Sequence, residues 1–380
     1  MFRKNTTFVI GAGASAEFGL PVGSQLAKLI RVRAGCTYRV NGPPTHDDLL
    51  TRLLDKRFGS ERRPELTRAL DIISQGISTA VSIDAFIDRF RDHEFIPILG
   101  KLLIALEIAD AERGSVMHPN QVAMQDIEIA EDVAGDRWIG SFTRILLDGV
   151  SDPDEVGRGV ALICFNYDRC IEYYLRDAIQ AAYAITVERA QEIVSRLNII
   201  HPYGTLGELE TAANANARDV LAFGENLEED VDWFAVAENN IRTYTEQQHE
   251  PNMIRNIHDA IIDASNLVFL GFGFNNQNLD ILRVANLPEV RELDPKNIFA
   301  SGFGIAREVD QTMRRRIMHL LWENPIRHKL YGDKVHIEYG RTCSQLFETH
   351  YMNLSSFTRS YFADGADGIV RHMAGSSLDG

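Results

Sequence analysis

An α/β fold with a mostly parallel sheet, helices on both of its faces and a large helical insertion after the first strand follows from three observations. Short apolar runs recur along the second half of the chain, each separated from the next by a segment of helical period. The first such run, Thr6–Ile10, ends in Gly11-Ala12-Gly13-Ala14-Ser15, a strand turning sharply into a helix. Between that run and the next convincing one, Val160–Phe165, the pattern is almost wholly helical. Strands alternating with helices predict parallel pairing, with ligands at the carboxyl ends of the strands.

In order along the chain, Gly11 is expected to take unusual turn angles and Gly13 to let the main chain approach a pyrophosphate. Leu26, Leu29 and Ile30 mark a helix over 21–33, with Ser24 able to cap it. A turn-rich hinge, Gly35–Pro44, opens the insertion. Four apolar stripes follow: Leu49, Leu50, Leu53 and Leu54; Leu66, Leu70, Ile72 and Ile73; Phe86, Ile87 and Phe90; and 96–108. Beyond Val160–Phe165, helices are expected over 168–179, 231–244, 251–264 and 305–320, and strands over 197–200, 220–223, 267–270, 297–300 and 334–338. A nucleotide-binding domain over 1–34 and 155–350, a helical module over 35–154 and a tail over 351–380, loosely ordered and a contact arm, complete the division.

Bulk properties narrow the function. The chain has 380 residues, long enough for about two units at roughly 150 residues each. With 45% apolar and 24% charged residues it should fold, with little room for long disordered segments. A net charge of −15 disfavours a uniform electrostatic grip on nucleic acid, leaving Arg314-Arg315-Arg316 as the densest basic cluster. Cys36, Cys164, Cys170 and Cys343 form no C-x-x-C pair, so neither a zinc ribbon nor a disulfide framework is expected, and no metal. With no leader pattern and no apolar stretch of about 20 residues, the expectation is a cytoplasmic protein away from membranes.

Three strand ends run directly into polar groups: Gly11–Ser15, then Asn166-Tyr167-Asp168, then His201-Pro202-Tyr203-Gly204. Parallel neighbours would bring Asn166, Asp168 and His201 together above the glycine turn. Taken singly, Asn166 and Asp168 also fit a helix N-cap, and His201 a hydrogen-bonded turn. The order and spacing of these segments resemble the sirtuins. Gly11–Pro21 is similar to their Gly-Ala-Gly-x-Ser-x-x-x-Gly-Ile-Pro signature, Phe165–Asp168 to their Gln-Asn-Ile-Asp, and His201–Gly204 to the segment carrying their active-site histidine. Leu270–Phe274 resembles the later strand end that lines the dinucleotide, and Ser82–Ile87 a helical segment of the bacterial sirtuin-like branch. The likeness covers 1–34 and 155–345.

It implies a Rossmann-like domain that takes NAD as its substrate. Gly11, Ala12, Gly13, Ser15, Glu17 and Pro21 would hold the dinucleotide from one side, and Gly271, Gly273, Phe274 and Asn275 from the other. Asn166 would bind the ribose hydroxyls or fix the attacking water, His201 accept a proton and Asp168 stabilise positive charge. Two departures, Val22-Gly23-Ser24 in place of Asp-Phe-Arg and the missing four-cysteine zinc module, argue against acyl-lysine chemistry. What remains resembles the bacterial sirtuin-like effectors of anti-phage defence, which hydrolyse NAD. That branch implies a homo-oligomer working with a partner such as a HerA-type DNA translocase or a short Argonaute. The alternatives are an NAD-dependent deacylase and a non-catalytic NAD or ADP-ribose sensor. A dehydrogenase fails on the absent acidic residue about 20 positions past the glycine turn.

Overall fold

The computed structural model describes residues 1–2, 5–36, 48–118, 134–211, 214, 220–228, 230–244, 246, 251–285 and 293–356. Strand β1 (Thr6–Ile10) is buried along its whole length and sits inside the sheet. It is followed by the helical turn α1 (Ala12–Ser15) and by α2 (Gly23–Cys36). The insertion then supplies α3 (Asp48–Phe58), α4 (Arg63–Gly76), α5 (Ile83–Arg89), α6 (Ile96–Arg113) and α7 (Trp138–Leu147). Next come β2 (Val160–Cys164), α8 (Cys170–Tyr183), α9 (Val187–Ser195) and β3 (Asn198–Ile200). A short ribbon, β4 (Glu208–Leu209) and β5 (Val220–Leu221), precedes α10 (Trp233–Asn240), α11 (Pro251–Asp263) and β6 (Asn266–Leu270). The remainder is α12 (Asn276–Leu282), β7 (Asn297–Gly302), α13 (Asp310–Leu321), α14 (Pro325–Tyr331), β8 (Val335–Tyr339) and α15 (Cys343–Leu354).

The main sheet has the order β3-β2-β1-β6-β7-β8, parallel throughout. With the β4–β5 ribbon set aside this is the doubly wound, Rossmann-like arrangement, and its direction reverses between β1 and β6. Because side chains alternate along a strand, β1 feeds two cores. Val9 joins Ile163, Phe269 and helices α2 to α6, α10, α12 and α13 on one face. Phe8 and Ile10 join Leu162, Val268, Trp138, Phe142, Leu175 and Phe347 on the other. The insertion therefore contributes to both faces, α7 lying across the sheet from α6. Helix α6 is buried almost all round, which its lack of a polar face requires. Among the described residues no helix is long and apolar enough to cross a membrane.

Several expected details differ. β5 pairs with β4 in a sheet of its own instead of extending the main one. Helix α10 stops at Asn240 because Ile241 leaves to bridge Gly204. Ser24 does not cap α2; the Gln25 side-chain carbonyl accepts the Val22 N–H at 3.0 Å, so the turn is closed from inside. The tail begins later than expected, since α15 runs to Leu354 and Ser356 donates its N–H to the Met1 carbonyl at 2.8 Å. Residues 357–380 and most of the hinge lie outside the described residues.

Candidate functional site

Register alone sets the level of the site. Ile10 lies opposite both Cys164 and Leu270, so Gly11, Phe165 and Gly271 leave the sheet together. Ile163 lies opposite Ile200, which puts His201 level with Cys164. The two glycine turns meet at the reversal point, main chain on main chain. Gly11 is extended (φ −120°), not in an unusual turn conformation; its reason is space, because a Cβ there would stand 2.7 Å from the Gly271 carbonyl oxygen. A Cβ on Gly13 would stand 2.8 Å from the same atom, and the Gly13 N–H donates to it at 3.0 Å. The main chain at Gly13, expected to approach a pyrophosphate, is here approached by the protein's own main chain at Gly271.

Gly271 is the residue in the left-handed region (φ +56°), with its N–H donated to Ser301 Oγ at 2.8 Å. A Cβ there would stand 2.0 Å from the Ala14 nitrogen. Gly271→Ala should therefore cost about 2 kcal/mol or more in denaturant unfolding, combining backbone strain with overlap. Gly273→Ala, where nothing lies within 4 Å, should leave stability unchanged.

Above these turns sits Asn166, 4% exposed. Its Nδ2 donates to the Gly11 carbonyl at 3.2 Å and to Ser15 Oγ at 2.8 Å, fixing the amide plane. Its Oδ1 is buried and has no hydrogen-bond partner among the described residues. The Asp168 carboxyl accepts the Cys170 N–H at 3.3 Å and is pushed up by burial, with the nearby Ser15 hydroxyl opposing the rise. Asn166 thus ties the turn after β2 to the helical turn after β1 through Ser15, with Asp168 close by.

His201 is held at both ring nitrogens. Nδ1 stands 3.1 Å from the Asn166 main-chain carbonyl and Nε2 2.7 Å from Glu172 Oε1. Two acceptors around one ring favour the doubly protonated form. Burial alone would lower its pKa, but the ionised Glu172 and the adjacent Cys164 hold it well above the usual histidine value. Glu172 is held below the usual carboxylate value despite its burial, chiefly by His201. The pair's contribution to stability is complete for His201 below about pH 6.5 and is lost as pH rises through its raised folded pKa. NMR titration should show His201 still an imidazolium at neutral pH, and Glu172→Gln should bring its titration back toward about 6.5.

A second ring of contacts supports these turns. Tyr167 Oη donates to Asp84 Oδ1 at 2.6 Å, and burial raises the Asp84 pKa to about 6. Ser82 Oγ donates to Gln277 Oε1 at 3.0 Å while accepting the Ala85 N–H, and Tyr203 Oη donates to Asn278 Oδ1 at 2.8 Å. The insertion thereby touches the turn after β2 through Asp84 and helix α12 through Ser82, while the turn after β3 reaches α12 through Tyr203. Behind them, Arg169 and Glu112 make a buried ion pair of 2.7 Å. Arg169 also donates to the Leu221 and Ala222 carbonyls at 2.9 Å each, and Glu112 also accepts the Arg169 and Gly224 N–H groups.

Other expected residues are placed differently. The Glu17 carboxylate accepts the Ser344 N–H at 3.1 Å and the Ser344 hydroxyl, at the start of α15. Phe274 turns its ring into the core against Phe269 and Phe272. Asn275 caps α12, accepting the Asn278 N–H at 3.0 Å. Gly273 is exposed, Pro21 is half-buried ahead of α2, and Ala12 opens α1. Glu172 was missed by the sequence reading, although an acidic residue in the first turn after Asn166-Tyr167-Asp168 was a legible signal. A cavity of about 690 Å³ opens at the opposite, amino edge, between Asn5, Gly159, Asn198 and Asp263. Parallel sheets bind ligands at the carboxyl edge, where the polar groups converge. Among the described residues no group of three or more His, Cys, Asp or Glu side chains is placed to hold a metal ion. No family model matches the chain, and no curated protein matches it.

Proposed function

We propose that the chain is a sirtuin-like NAD hydrolase that cleaves the nicotinamide–ribose bond, releasing nicotinamide and ADP-ribose. One observation carries the reading: Asn166 is clamped by its nitrogen and presents a buried, unpaired acceptor at the carboxyl edge of a doubly wound sheet. A ribose hydroxyl or a single water is the donor that such an oxygen fits.

The C1′–nitrogen bond breaks with its electron pair going to the nicotinamide ring, which leaves neutral. The cationic ribose is then trapped by water, so aiming the water matters more than deprotonating it beforehand. Asn166 Oδ1 does the aiming. Asp168, beside Ser15 and raised by burial, is a carboxylate able to take the proton. His201 cannot serve as the base while paired with Glu172; it positions Asn166 through the main-chain carbonyl. The sequence resemblance adds the biological reading: a cytoplasmic, NAD-depleting effector of anti-phage defence, oligomeric and gated by assembly with a partner such as a HerA-type translocase or a short Argonaute.

A non-catalytic NAD or ADP-ribose sensor is the second reading, favoured by the same locked His201 and by the Gly13 N–H spent on Gly271. Incubation of the purified chain with NAD, with and without such a partner, separates the two when free nicotinamide is followed by chromatography. Release supports the hydrolase. Calorimetric NAD binding without release under any condition supports the sensor.

A further inference from the structure

Helices α12 and α13 pack side by side beyond the β6 loop and enclose a cavity of about 290 Å³. Leu279 and Leu320 floor it, and Arg283, Arg316 and His319 stand around it. Arg316 and His319 lie three residues apart on one face of α13, and Arg283 follows the last turn of α12. The third side chain of the basic run, Arg314, is occupied elsewhere, paired with Asp310 at 2.8 Å and bonded to the Gly332 carbonyl at 3.1 Å.

The charges in the cavity are not neutralised in the same way. Arg283 is exposed and its guanidinium has no carboxylate partner among the described residues. Arg316 donates one terminal nitrogen to the Phe274 carbonyl at 3.0 Å, which fixes the fork and leaves its other donors available. Arg315 and His328 stand close enough to add to the field at His319, whose ring meets that of His328 edge-on at 4.7 Å. Against them are Asp280 on the cavity wall and Glu323 nearby. Such a concentration of cations is unusual on a chain of net charge −15.

We propose that this cavity binds the phosphate or pyrophosphate group of a phosphorylated small molecule. Two guanidinium groups at its rim match the oxygens of a phosphoryl group, which Arg recognises in two-pronged fashion. Its volume falls below the roughly 300–1,000 Å³ of pockets that enclose whole drug-sized ligands, so the remainder of the ligand lies outside. None of its lining residues belongs to the Gly11–Gly271 contact, and the proposal does not depend on the NAD reading.

Calorimetric titration of the full chain with inorganic pyrophosphate, orthophosphate and AMP, at matched ionic strength, tests it. Saturable pyrophosphate binding is expected, weakened roughly ten- to a hundredfold in Arg283→Glu and in Arg316→Gln, as loss of charge-assisted hydrogen bonds implies. AMP binding lost in the same variants assigns an organic phosphate, and orthophosphate alone a free anion. Arg283 is exposed and has no ion-pair partner among the described residues, so its variant should melt as the wild type does. No saturable binding in the wild type, or binding unchanged in both variants, overturns the proposal.

Discussion

Asn166→Ala lowers nicotinamide release by roughly a hundred- to a thousandfold, the usual effect of removing one fixed polar group that acts on the transition state. The loss should fall on kcat and leave KM nearly unchanged if Oδ1 aims the water, and should raise KM if it holds a ribose hydroxyl. Ser15→Ala removes one of the two bonds that fix the amide and should lose less. Asn166→Ala also removes the two buried bonds donated by Nδ2 and should cost about 1–3 kcal/mol, so activity is compared at a temperature where the melting curve shows the variant folded. Turnover by Asn166→Ala at the wild-type rate rules out a hydrolase mechanism that rests on Asn166.

Glu112→Ala should destabilise the fold by about 3–5 kcal/mol, the cost of leaving a buried charge without its partner. Arg169 is 2% exposed and would keep only its main-chain acceptors. Glu112 comes from the end of α6, Arg169 from the turn that carries Asn166, and the carbonyls from β5 and the residue after it. Equilibrium unfolding in urea measures the loss. The double replacement Glu112→Met with Arg169→Met should recover part of it, because no charge is then orphaned. Equal losses in the single and double variants would mean that the main-chain bonds of Arg169, and not the pair, stabilise the turn.

How much of this was legible in the sequence varies with the range of the interaction. β1 and its glycine turn were, because a short apolar run closed by Gly-x-Gly is a local signal. The convergence of Asn166, Asp168 and Ser15 followed from parallel pairing, and register delivers it. The reason for the glycines was not legible: the atom that excludes a Cβ at Gly11 belongs to Gly271, on a different strand. Nor was the state of His201, since its charge is set by Glu172 across 29 positions. The side chain of Phe274 was expected in the crevice because its strand end points there. A left-handed backbone at that residue (φ 50°) accompanies a ring buried in the core.

The central place of β1 has a consequence for synthesis. Thr6 finds Val160 on one side and Asn266 on the other, and at roughly 5–20 residues per second the 260 positions to Asn266 take about 13–50 s. For that interval the nascent chain carries an apolar strand with an edge still open, a natural client for holding chaperones. Over the same interval Gly271 has not been made, so the contact that shapes the glycine turn is missing. A ribosome that stalls or a message cut short yields a fragment without the complete crevice. If the chain consumes NAD as proposed, the fragment made before Gly271 would lack the contact that the proposed site rests on.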